Sequence, residues 1–176
     1  MDTNTTISNL RNKIMIPRKI LSTGNPDNPN ELASGLRAVL PDTDFISRTS
    51  GFNLDMSVHD NRIQFQEKIK EYNTFINLSY IKQGNQLELL NCVQEQWKFG
   101  EVINIGSVSD QLDTPYGLDK KQLKETSLHA NTYRLRTSYV SLGSVSPRAV
   151  GDIVKWILDS EFVIPIIGYE EEKQPW

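Results

Sequence analysis

Ser107, Tyr116 and Lys120 put a hydroxyl, a phenol and an amine close together in a chain of 176 residues. Asp113-Thr114-Pro115 just before Tyr116 predicts a helix start, with Thr114 as N-cap and Pro115 at the first helical position. Tyr116 and Lys120 stand four residues apart inside that helix, so both lie on one face. An ammonium beside a phenol favours the phenolate and lowers its pKa from an ordinary ~10. Such a tyrosine passes a proton to or from a carbonyl or alcohol oxygen, and a nearby serine hydroxyl can hydrogen-bond that same oxygen. The alternative is an ordinary solvated Tyr–Lys pair on a helix surface.

The chemistry needs elements that bring the three together. Glu101-Val-Ile-Asn-Ile is a short run rich in β-branched residues and reads as a buried strand. It runs into Gly106, Ser107 and Ser109, small and polar residues at a strand's C-terminal end. Upstream, Pro17 to Gly24 reads as a strand and turn. A helix follows, with Asn28 as N-cap, Pro29 at its first position, Glu31 completing a capping box, and Leu32, Leu36, Val39 and Leu40 as its apolar stripe. Asp44 to Thr49 reads as a second strand. Strand, helix and strand joined by short turns point to a parallel α/β sheet. Further along come a helix from Ser57 to Tyr72, a strand from Asn73 to Ile81 and a helix from Gln83 to Gly100 striped by Leu87, Leu90, Val93 and Trp97. After the Tyr116 helix follow a strand from Tyr133 to Gly143, a helix capped at Ser146-Pro147, and a last strand from Glu161 to Gly168.

The order of parts and the Ser107, Tyr116-x-x-x-Lys120 core resemble the short-chain dehydrogenase/reductase family. The resemblance implies an α/β, doubly wound, mostly parallel Rossmann-like sheet of about six strands with helices on both faces. It implies hydride transfer between a nicotinamide cofactor and a small carbonyl or alcohol substrate, with Tyr116 as acid/base, Lys120 as its partner and Ser107 as the orienting donor. It also implies cofactor contacts from Thr23, Gly24 and Asn25 after the first strand, although the later glycines of the family's turn are absent and Pro26, Asp27 and Pro29 stand there instead. Ser47, Arg48 and Thr49 would follow at the second strand's end, where an arginine without an acid favours NADP over NAD. The resemblance places Asp55-Met56 beside the adenine, with Asn53-Leu54 as the rival alignment. It places Asn77, Leu78 and Ser79 at the third strand's end, and Tyr116, Lys120, Leu142 and Gly143 towards the nicotinamide. Asn77 by its own chemistry reads as a buried strand tie.

Composition narrows the classes. Hydrophobic content of 38% and charged content of 23% suit one globular domain, read as residues 17–169 between an N-terminal arm at 1–16 and an acidic tail at 170–176. A net charge of −3 without a basic run argues against nucleic acid as a partner. Cys92 is the single cysteine, so no intrachain disulfide forms, and it reads as a core residue in a reducing, cytoplasmic setting. No apolar run approaches membrane-spanning length and no signal-peptide apolar region opens the chain, so no membrane partner is expected. His59 and His129 lack neighbouring ligands, so no metal site is expected. A homo-oligomer is expected, the Leu87–Trp97 and Leu123–Ala130 helices being candidates to pair between subunits. A catalytically reduced dinucleotide-binding or scaffold protein on the same fold is the rival function.

Overall fold

The computed structural model describes residues 17–131 and 135–170. Strands β1 (Ile20–Thr23) and β3 (Thr74–Asn77) are buried along their whole length, the polar Ser22, Thr23, Thr74 and Asn77 included, as strands covered on both faces are. With β2 (Asp44–Ile46), β4 (Gly100–Ile105), β5 (Leu135–Leu142) and β6 (Ile166–Tyr169) they form one sheet in the order β2-β1-β3-β4-β5-β6. Every neighbouring pair is parallel. The doubly wound, Rossmann-like architecture expected from the alternation of elements is the one observed.

Helices cover both faces. On one, α1 (Leu32–Val39) and α5 (Pro147–Asp159) press Leu36, Val150, Val154 and Ile157 onto Ile76, Ile103 and Val140. The two helices meet at glycines. A Cβ at Gly35 would lie 1.6 Å from the Pro147 carbonyl oxygen, and one at Gly151 would lie 2.3 Å from the Gly35 oxygen. On the other face, α2 (His59–Ile69), α3 (Asn85–Gln96) and α4 (Pro115–Ala130) bury Phe65, Ile69, Leu89, Leu90, Val93 and Leu123 against Leu21, Phe75 and Val102. Cys92 is fully buried in that second cluster. Among the described residues no helix is long and apolar enough to cross a membrane.

Several boundaries differ from the expectation. Helix α1 starts at Leu32 rather than Pro29, because the Asn28 side chain accepts from the Asn30 amide in a tight turn instead of capping a helix. Helix α2 starts after Val58 rather than Ser57, whose hydroxyl donates to Asp55 at 2.6 Å, and it ends at Ile69, leaving Tyr72 to pack beyond it. Helix α3 is shorter at both ends than 83–100, and its core face is Leu89, Leu90, Cys92 and Val93 rather than a stripe that includes Leu87. β2 stops at Ile46 and gives way to a single 3-10 turn at Arg48–Ser50. β1, β3 and β6 are shorter than read, with Pro165 just outside β6. The Thr114 cap is as expected and accepts from the Gly117 amide at 3.0 Å, as does Ser146 from Ala149 at 3.3 Å. Residues 1–16, the tail beyond Glu170, and Tyr133 and Arg134 lie outside the described residues.

Candidate active site

The chain builds β2 on one side of β1 and then crosses back to build β3 on the other. Connections leave β1 and β3 in opposite directions, so a crevice opens at their C-terminal ends, where doubly wound sheets take ligands. A cleft of about 460 Å³ lies there, lined by the loops after β1, β2 and β3. Of the residues expected at a cofactor, Gly24, Asn25, Ser47, Arg48, Thr49, Leu78 and Ser79 line it. Leu54 of the rival alignment lines it too, whereas Asp55 and Met56 do not. Asp55 forms a surface ion pair with Lys82 at 2.5 Å that pulls its carboxyl down to about 2, and Met56 is buried with its amide donating to Asn85 Oδ1 at 2.9 Å.

Thr23 and Asn77 are structural. The Thr23 hydroxyl accepts from the Leu78 and Ser79 amides at 2.9 and 2.8 Å, pinning the loop after β3 to β1. Asn77 Nδ2 donates to Asn104 Oδ1 and to the Gln86 carbonyl, both at 2.8 Å, and Asn104 Nδ2 donates to Ser127 Oγ at 3.0 Å. The network is fully buried and ties β3, β4, α3 and α4 together. Leu142 is buried, and Gly143 donates its amide to Tyr169 at 2.9 Å beside β6.

Ser107, Tyr116 and Lys120 occupy the same C-terminal edge beside the cleft. Ser107 ends the segment after β4 and opens the 3-10 turn Val108–Gln111, its Oγ accepting from the Ser109 amide at 3.2 Å. That turn packs on the start of α4. A Cβ at Gly117 would lie 2.4 Å from the Ser109 oxygen, so only glycine lets the turn and the helix meet. The Ser107 amide points at the Tyr139 hydroxyl, 3.4 Å away, and the Tyr139 ring fills the space where Gly106 has no side chain. Burial raises the Tyr139 phenol, which therefore stays protonated.

Lys120 and Tyr116 share a face as expected, but the lysine turns inward. It is 3% exposed, while Tyr116 is 37% exposed. Its Nζ donates to Gln86 Oε1 and lies 3.5 Å from the Ile105 carbonyl oxygen. It sits over the Tyr116 ring, 5.3 Å from the centroid, and over the Tyr80 ring at 4.9 Å. The two rings meet edge to face at 4.9 Å. Burial pulls the Lys120 amine down to about 8. Among the described residues no hydrogen bond joins Ser107, Tyr116 and Lys120 to one another. Sequence reasoning missed Tyr80, Gln86 and Tyr139. Gln86 lies near the start of α3 with no motif around it, and Tyr80 sits in a loop where an aromatic carries no local signal. Among the described residues no cluster of His, Cys, Asp or Glu is placed to hold a metal ion.

Sheet order, switch-point cleft and edge placement define a doubly wound, Rossmann-like α/β protein. No protein-family model and no curated protein matches the sequence. Solved structures do. A short-chain dehydrogenase from Sphingobium yanoikuyae in complex with NADPH superposes with a TM-score of 0.65 at 12% identity, over 85% of this chain and 87% of that one. The 3-alpha-hydroxysteroid dehydrogenase from Pseudomonas sp. B-0831, complexed with NADH, gives 0.66 at 10% identity over 86% and 94%. A short chain dehydrogenase family protein from Francisella tularensis gives 0.63 at 11% identity over 87% and 97%. The chain shares the doubly wound, Rossmann-like fold of these short-chain dehydrogenases.

Proposed function

We propose that the chain is a nicotinamide-dinucleotide-dependent oxidoreductase of the short-chain dehydrogenase/reductase type, acting on a small carbonyl or alcohol. The observation that carries this reading is Lys120, a buried ammonium one helical turn from Tyr116 and seated over its ring at the sheet's ligand-binding edge. Ligands bound by the similar structures, NADPH and NADH, support the cofactor class. The cleft suits such a cofactor at its adenosine half. Arg48 has no carboxylate partner among the described residues and stands beside the Ser47 and Thr49 hydroxyls, which favours a 2′-phosphate and hence NADP over NAD. Leu54, Leu78 and Ala33 give the apolar walls.

The nicotinamide, when bound, supplies or accepts the hydride. The chain's own groups handle the proton and the orientation. Tyr116 is the acid/base, an exposed residue whose ring is held by Lys120 and Tyr80. Ser107 Oγ accepts from the Ser109 amide, which leaves its own O–H to donate to a substrate oxygen. Lys120, with an amine pulled down to about 8, sets the field on the phenol. Gln86 and the Ile105 carbonyl orient Lys120.

A second reading, a dinucleotide-binding scaffold with reduced catalysis, is favoured by one observation. Tyr80 lines the cleft and also covers Tyr116 and Lys120, so its ring stands between the two. Titration with NADPH and NADP, then NADPH consumption across a carbonyl panel, separates the readings. Binding with turnover supports the oxidoreductase, binding without turnover supports the scaffold, and no binding at millimolar cofactor removes both. Tyr116→Phe should abolish turnover and leave affinity within about twofold; retained turnover removes the role given to Tyr116. Light scattering checks the expected homo-oligomer; Leu90, Val93, Trp97, Leu123 and Ala130, on the two helices expected to pair between subunits, are buried in the chain's own core.

A further inference from the structure

The cleft has a polar end at α1, and that end is already in use. The Asn25 amide donates to Glu31 Oε2 at 3.1 Å, and Asn28 Nδ2 donates to Glu31 Oε1 at 3.2 Å. Glu31 is the N-cap residue of α1, yet its side chain does not cap the helix and turns back onto the loop. With Asn25, Leu32 and Ala33 it lines the cleft. Asp27, the other acid of this loop, is engaged by Arg37 at 2.7 Å and does not line the cleft. Pro26 and Pro29 have no N–H to offer. The loop therefore lacks two backbone donors, and the amide at its start is held by a carboxylate of the chain itself. A phosphate ester arriving here meets a fixed negative charge where it needs donors, whereas a ribose hydroxyl meets an acceptor it can use.

We infer that Glu31 is the specificity-determining residue of the cleft, a built-in anion that stands in for a ligand phosphate at the α1 end. A ligand keeps its phosphates away from that end or binds only by displacing the carboxylate from Asn25 and Asn28. The inference rests on the reading of the cleft as a dinucleotide site, and it sets what filling that site costs: a cofactor pyrophosphate at the α1 end has to displace the Glu31 carboxylate from Asn25 and Asn28, whereas a nucleoside without phosphates does not.

Calorimetric titration of the full chain with adenosine, ADP and NADPH tests it, comparing wild type, Glu31→Gln, Glu31→Ala and Asp27→Asn, each checked for folding by thermal melting. Removing the charge should raise ADP and NADPH affinity at least about tenfold in both Glu31 variants, with adenosine within about twofold. Asp27→Asn should leave all three ligands within about twofold, because its carboxylate faces Arg37 rather than the cleft. Equal ADP affinity in wild type and both Glu31 variants, with NADPH bound by all, overturns the inference and leaves the dinucleotide reading standing. An adenosine gain as large as the ADP gain overturns it as well, since loop shape rather than charge would then be responsible. No binding of any ligand by any folded variant overturns both.

Discussion

Lys120 offers the sharpest test of how the site is built. Its ammonium is almost wholly out of water, and the groups it touches are neutral: the Gln86 amide oxygen, the Ile105 carbonyl and two ring faces, with the nearby Asp119 carboxylate offsetting the burial only in part. The amine is pulled from 10.5 down to about 8, so in the folded protein it gives up its proton earlier than in the unfolded chain. Below pH 8 both states carry the charge and folding bears the full cost of burying it. Between about pH 8 and 10.5 the unfolded chain holds more protons, so stability rises with pH; above 10.5 both states are neutral and the cost is gone. The gap between 10.5 and about 8 corresponds to about 3 kcal/mol at about 1.4 kcal/mol per tenfold change. Lys120→Met removes the titrating group but leaves the Gln86 oxygen unpaired at a cost of about 1–3 kcal/mol, so the two proteins should be of similar stability at pH 7. The difference lies in the pH dependence. Urea denaturation at intervals from pH 7 to 10 should show wild type gaining about 2–3 kcal/mol on Lys120→Met, with unchanged m-values. Parallel stability curves across that range would refute a buried, desolvated Lys120, and with it the role given to its field on Tyr116.

Three shorter tests address the frame around the site. Gly35→Ala places a methyl 1.6 Å from the Pro147 carbonyl oxygen and should destabilise the fold by about 3 kcal/mol or prevent folding, read by denaturant midpoint. Gly106→Ala drives a methyl to 2.0 Å from the Tyr139 hydroxyl and should cost about 1–3 kcal/mol by thermal or urea melting. Cys92 is buried and its thiol is pushed up to about 11 by that burial, so it should resist a thiol reagent at pH 8 until denaturant is added.

Much of the architecture was written locally. Alternating strand and helix patterns with short turns announced a parallel, doubly wound sheet, because only a crossover helix joins parallel strands over such lengths. Thr114-Pro115 announced the start of α4, since a side-chain acceptor and a missing donor at those positions satisfy the helix end without outside help. The spacing of Lys120, Leu123, Ser127 and Ala130 announced one face, and all four are buried. Asn77 read as a strand tie and is one.

Other features were decided only once distant segments met. Whether Lys120 faces water or protein depends on Gln86, whose side chain reaches it from another helix. The bland reading of Tyr116 and Lys120 as a solvated pair fails for the lysine, because α3 and Tyr80 close over it. The Asn28–Pro29 helix start looked sound in one dimension but gave way to a turn, in which Asn28 reaches both the Asn30 amide and Glu31. Whether Asp27 or Glu31 enters the cleft turns on Arg37, which engages Asp27 and leaves Glu31 to the cleft. Helix ends and strand runs follow from short-range sterics and hydrogen bonding, which the sequence states directly. The partner of a buried charge is chosen by packing among segments far apart in the chain, which only the folded protein supplies.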